Sequence, residues 1–116
     1  MSRDAVIDLE AMREAALSAC ALMKVMSNPD RLLLLCELAQ GERNVGELEE
    51  QLGIVQPTLS QQLAVLRDAE LVETRREGKS IHYRITSAQA LAVMQVLYAQ
   101  FCKPAEPARA TRRSRP

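Results

Sequence analysis

Net charge is missing from this chain: fifteen Lys and Arg balance fifteen Asp and Glu over 116 residues, and the isoelectric point is about 6.6. A nucleic-acid partner therefore cannot be argued from bulk charge. Long apolar runs are missing too. Stretches such as LLLLC at 32–36 fall far short of the roughly 20 residues that a membrane helix needs. Acidic residues stand near the N-terminus where a secretory signal would be basic and then apolar, so the expected location is cytoplasmic with no membrane partner. The cysteines Cys20, Cys36 and Cys102 are odd in number and contain no C-x-x-C pair, which supports neither a disulfide framework nor a zinc ribbon. In a reducing compartment they are either buried small hydrophobes or sensors. The single histidine, His82, lies on an alternating strand and reads as a surface residue rather than a metal ligand. No nucleophile-with-base motif points to an enzyme, and no cofactor is expected.

The content of the chain is more informative. With 47% apolar residues in 116, it is long enough for one domain with its own core, expected over 1–103. Residues 104–116 hold three prolines, four arginines and no periodicity, and are expected to form a disordered tail. Charge is sorted along the sequence. Residues 27–52 carry six acidic and two basic side chains, whereas 74–84 carry Arg75, Arg76, Lys79 and Arg84 against Glu77 alone.

Apolar residues at Leu9, Met12, Ala16, Ala19, Met23 and Met26 recur at three- and four-residue steps, the stripe of an amphipathic helix over about 6–26. Asn28 then caps a second helix with Pro29 at its first position, running to about Gln40 as a central buried helix. Asn44 with Glu47 makes a capping box for a short helix that Gly53 ends, and after GIVQ a further helix starts at Pro57. Helix, tight turn and second helix form the helix-turn-helix pattern. Beyond Leu71 the period becomes two: LVETRRE pairs across Gly78 with a strand carrying Ile81, Tyr83 and Ile85, giving a β-hairpin with a basic tip. Thr86 with Gln89 is expected to cap a final helix to about Cys102. That helix has one stripe at Leu91, Met94, Leu97 and Phe101 and part of another at Val93 and Val96, so it needs two partners: its own core and a second subunit. The expected fold is mainly α with a β-hairpin wing, a winged helix-turn-helix that dimerises through its first and last helices.

Residues 51–66, QLGIVQPTLSQQLAVL, contain no charge at all. Leu59, Leu63 and Leu66 share the core-facing side of the helix, and Gln61 points away from them with Thr58 and Ser60 beside it and Gln56 at the helix entrance. Base edges in the major groove offer neutral donors and acceptors that glutamine, serine and threonine match, whereas Lys and Arg bind phosphate wherever they find it. Gln56, Thr58, Ser60 and Gln61 are thus the expected base readers. Arg75, Arg76, Lys79 and Arg84 on the hairpin are the expected backbone contacts.

The order of elements and the residues SNPDRLLLLCELAQGERNVGELEEQLGIVQPTLSQQLAVLRDAELVETRREGKSIHYRIT resemble the ArsR family of dimeric winged-helix repressors over about 9–102. Many metal sensors of that family carry Cys-Val-Cys before the recognition helix, where this chain has Asn44, Val45 and Gly46. Another family site uses Asp and His on the last helix, and residues 87–102 contain no Asp, Glu or His. No metal site is therefore expected. QPTLSQQL, VETRREGK and a cysteine on the second helix with another near the end of the last are similar to the BigR/SqrR-like branch of persulfide and sulfide sensors. That resemblance selects Cys36 and Cys102 as the sensing pair, which spacing alone does not, since three cysteines allow three pairings. It implies a homodimer on double-stranded, pseudo-palindromic operator DNA, released by reactive sulfur species and controlling sulfide detoxification genes. A metal-responsive repressor and a winged-helix protein-interaction module without a thiol switch are the rival readings.

Overall fold

The computed structural model describes residues 8–102; the basic tail and the first seven residues lie outside the described part. In order come α1 (Leu9–Met26), α2 (Pro29–Leu38), β1 (Arg43–Asn44), α3 (Val45–Leu52), α4 (Thr58–Asp68), β2 (Val72–Glu77), β3 (Ser80–Ile85) and α5 (Ala88–Phe101). The helix starts follow local chemistry. The Asn28 side chain accepts from Arg31 N at 3.0 Å with Pro29 at the first position of α2. Asn44 and Glu47 satisfy each other's backbone N–H groups, both at 2.8 Å. Gly53 closes α3 at φ 70°, a left-handed conformation that costs glycine nothing.

Two expectations are corrected at helix ends. α5 is capped by Ser87, whose Oγ accepts from Ala90 N at 3.0 Å, and not by Thr86. The Thr86 N–H is spent instead on Leu71 O at 3.0 Å, which fastens the end of the wing to its beginning. α2 also stops at Leu38, two residues short of Gln40, with Ala39 as its C-cap.

α4 ends in a Schellman arrangement: Leu71 N donates to Leu66 O at 3.0 Å and Glu70 N to Arg67 O at 2.9 Å, with Glu70 at φ 63°. The chain is thereby turned sharply from α4 into the wing. β2 and β3 pair antiparallel from Val72↔Ile85 to Glu77↔Ser80 around Gly78, at φ 63°, and Lys79. β1 adds a third strand beyond β3, Arg43↔Tyr83 and Asn44↔His82, which two residues of sequence do not announce.

The core sits between α2, α3, α4 and α5, where Leu34, Leu35, Leu48, Leu59, Leu63, Leu66 and Met94 are fully buried. Truncating one such leucine to alanine costs about 2–5 kcal/mol. The α1 stripe behaves differently. Only Met26 of α1 is buried; Leu9, Met12, Leu17 and Met23 face solvent. On the opposite end of the chain Val96 is 59% and Phe101 79% exposed. The protomer thus leaves the outer faces of its first and last helices uncovered. α2 is not wholly buried either, since Leu33 remains 45% exposed. Among the described residues no helix is long and apolar enough to cross a membrane.

Candidate functional site

The candidate reading face is built by the leucines behind it. With Leu59, Leu63 and Leu66 fixed in the core, helical geometry turns Ser60 and Gln61 to solvent and leaves Thr58 half-buried. Gln56 has a structural task that spacing did not reveal. Its Oε1 accepts from Ser60 N at 3.1 Å and from Ser60 Oγ at 2.6 Å, so it caps the first turn of α4 where Pro57 has no side-chain cap to offer. The Gln56 amide N–H groups and the Gln61 amide are the neutral groups that this face presents outward. Val55, just before them in the turn, is 67% exposed.

The wing arginines are not equivalent. Arg75 donates from Nη2 and Nε to both carboxylate oxygens of Glu42, at 2.8 and 3.2 Å, and from Nη1 to Glu77 at 3.2 Å. Arg84 Nη2 reaches Glu73 Oε1 at 3.0 Å. Arg76 donates only to Gly78 O, at 3.5 Å, and neither Arg76 nor Lys79 has a carboxylate partner among the described residues. The cationic groups at the tip are thus Arg76 and Lys79, while Arg75 and Arg84 brace the wing. His82 is corrected from a surface residue to a half-buried one: its side chain is 18% exposed, with Nε2 3.6 Å from Glu77 Oε1 and β1 beside it.

All three cysteines are free thiols, Cys20 and Cys102 exposed and Cys36 half-buried. Cys36 lies on α2 and Cys102 is the C-cap of α5, its N–H bonded to Tyr98 O at 2.9 Å. Burial pushes the Cys36 thiol up from its ordinary value, and the charges of Cys102 and Glu37 push the same way. An open cleft of about 370 Å³ lies between these helices, lined by Cys36, Ala39, Gln40, Leu91, Met94 and Tyr98. Among the described residues no three His, Cys, Asp or Glu side chains converge in a metal-binding group.

Comparison with known proteins fixes the family. Residues 28–74 match the family model described as bacterial regulatory protein, arsR family. The chain is 53% identical over 100 residues to the biofilm growth-associated repressor of Agrobacterium fabrum, covering 86% of each protein. It is similar to the crystal structure of the transcriptional repressor BigR from Xylella fastidiosa, with a TM-score of 0.77 and 50% identity, covering 84% of this chain and 100% of that one. It is also similar to the homodimeric winged helix-turn-helix DNA-binding domain Mb0332 from Mycobacterium bovis, with a TM-score of 0.65 and 34% identity, covering 76% of this chain and 83% of that one. With its cap-defined helix-turn-helix, neutral outward face and three-stranded wing, the chain belongs to the ArsR family of bacterial regulatory proteins, which are DNA-binding transcription regulators and not enzymes.

Proposed function

We propose that this protein is a cytoplasmic transcriptional repressor that binds a pseudo-palindromic operator as a homodimer and leaves it when reactive sulfur species join Cys36 to Cys102. The observation that supports the switch is placement: Cys36 on α2 and Leu91, Met94 and Tyr98 of α5 line one cleft, and Cys102 ends that same α5, whereas Cys20 lies on α1. The dimer is supported by the uncovered apolar faces of α1 and α5 and by the homodimeric relative. Two reading helices related by a two-fold axis meet successive major-groove faces about 34–36 Å apart.

The chemistry balances with an organic hydropersulfide as oxidant. A thiolate of the pair attacks the terminal sulfur of RSSH, forming a protein persulfide and releasing RS⁻. The second thiolate then attacks the inner sulfur of that persulfide, closing the disulfide and releasing HS⁻. Two thiols and RSSH thereby give one disulfide, RSH and H₂S. The bond would tie α2 to α5, and because α5 also carries an uncovered dimer face, tying it alters subunit geometry. Allosteric couplings of about 1–3 kcal/mol are typical, enough to lower operator occupancy several-fold or more. The genes released would serve sulfide or persulfide detoxification.

Peptide mapping after exposure of the reduced protein to cysteine hydropersulfide tests the pairing. A Cys36–Cys102 cross-linked peptide is expected. A cross-link through Cys20, or persulfides that never resolve, contradicts it.

A further inference from the structure

Arg31 has no part in the site so far, yet its guanidinium bridges three helices. It stands in the first turn of α2. Its Nε donates to Val25 O at 2.7 Å and its Nη2 to Lys24 O at 3.5 Å, both carbonyls of the last turn of α1. Its Nη1 donates to Gln62 Oε1 on α4 at 2.9 Å, a contact 31 residues away in sequence. We infer that Arg31 is a positioning residue for base reading, a strut that sets the reading helix α4, through Gln62, against the end of α1.

A guanidinium is planar and donates in fixed directions, so one group bonded on both sides fixes the distance and the rotation between its partners, which a flexible ammonium does not. The carbonyls at the end of α1 carry the negative end of its dipole and hold the cation in place. Gln62 is the residue next to Gln61, and any rotation of α4 about its axis sweeps both side chains together. Bidentate bonding to a base edge tolerates only about 0.5 Å of displacement before it weakens. α4 has a continuous leucine seam on its inner side, Leu59, Leu63 and Leu66, and an apolar seam tolerates small rotations. The directional bond at Gln62 supplies what the seam does not. The strut also links α1, whose outer face is uncovered for a second subunit, to the helix that meets DNA, so the spacing between two reading helices inherits its stiffness.

This inference rests on the reading-face assignment, and the test separates the two. The strongest duplex recovered by selection from a random-sequence pool serves as the specific probe and a scrambled duplex as the non-specific one. Affinities of both are measured for the wild type, Arg31→Met, Gln62→Met and the double variant, with thermal unfolding alongside. Each single variant is expected to lower the specific-to-scrambled ratio by about tenfold, as loss of one charge-assisted hydrogen bond implies. The salt slope on the scrambled duplex should stay at the wild-type value, and the double variant should lose no more than either single one. Gln62→Met keeps the Arg31 bonds to α1, so it reports on positioning even if Arg31→Met unfolds. Unchanged ratios in the folded single variants, or losses that simply add, overturn the strut. A wild type with no preference for the selected duplex overturns the reading face and the strut with it.

Discussion

Glu42 and Arg75 are joined by two parallel hydrogen bonds, at 2.8 and 3.2 Å, so the loop that follows α2 grips the wing 33 residues away. The bond from Arg75 holds the Glu42 carboxyl below the usual carboxylate range; burial opposes the shift, and the charges of Arg75, His82 and Arg84 assist it. A depressed folded-state value means that the pair stabilises the fold fully above the ordinary glutamate range, near 4.3, and that this contribution disappears as pH falls through the lowered value. The stability gap between wild type and Glu42→Gln should therefore be constant at neutral pH and close in acid, as read by denaturant unfolding across pH. Releasing Arg75 should also add a cation for phosphate: Glu42→Gln is expected to bind all duplexes more tightly and to steepen the salt dependence by a slope of about 1. A slope equal to the wild type would mean that Arg75 already sits on phosphate or never does.

The uncovered faces of α1 and α5 should be the subunit contact. Leu17 is 73% and Val96 59% exposed, and introducing charge there, as Leu17→Glu with Val96→Glu, is expected to give a folded monomer at micromolar concentration where the wild type is a dimer. Size-exclusion chromatography with light scattering checks it; a dimeric double variant would place the contact elsewhere.

Base reading and backbone binding should separate by residue. Gln61→Ala is expected to cost about 1–3 kcal/mol of discrimination against scrambled DNA, with A·T pairs the positions relaxed. Arg76→Ala, at a tip cation with no carboxylate partner among the described residues, should weaken all duplexes alike and lower the salt slope by about 1. Titrations on selected and scrambled duplexes at several salt concentrations distinguish the two.

The turn from α4 to the wing stores strain at one residue. Glu70 holds φ 63° where glycine is the usual occupant, so Glu70→Gly is expected to leave stability unchanged or raise it by about 0.5–1 kcal/mol. Chemical denaturation measures this, and a clear loss would show that the Glu70 side chain contributes more than its backbone strain costs.

Much of the fold could be read from neighbouring residues because its signals are local. Asn28, the Asn44–Glu47 box, Gly53 and the Gly78 turn each act within a few positions, and the leucine spacing of α4 settles which way Gln61 faces. Thr86 against Ser87 was a choice between adjacent caps that the bond from Thr86 N to Leu71 O decides. What sequence reading missed are choices of distant partner. The neutralisation of Arg75 by Glu42, the bond of Arg31 to Gln62 and the addition of β1 to the sheet join segments more than thirty residues apart, and no period or cap encodes them. Four wing cations counted as equals in sequence; in the fold, Arg75 and Arg84 have carboxylate partners, and Arg76 and Lys79 have none among the described residues.

The switch itself is tested by operator release in single-cysteine variants. Fluorescence anisotropy of the selected duplex is followed for the wild type, Cys36→Ser, Cys102→Ser and Cys20→Ser, each reduced and then treated with cysteine hydropersulfide. Serine keeps the approximate size and polarity but cannot attack or accept sulfur, so it removes the switch and spares the reading helix. All four reduced proteins should bind. The wild type and Cys20→Ser should release the duplex on treatment and rebind on reduction, while Cys36→Ser and Cys102→Ser stay bound. Release by both of those variants, or failure of Cys20→Ser alone, would contradict the pair, and release by zinc of a variant lacking all three cysteines would replace the thiol switch with a metal one.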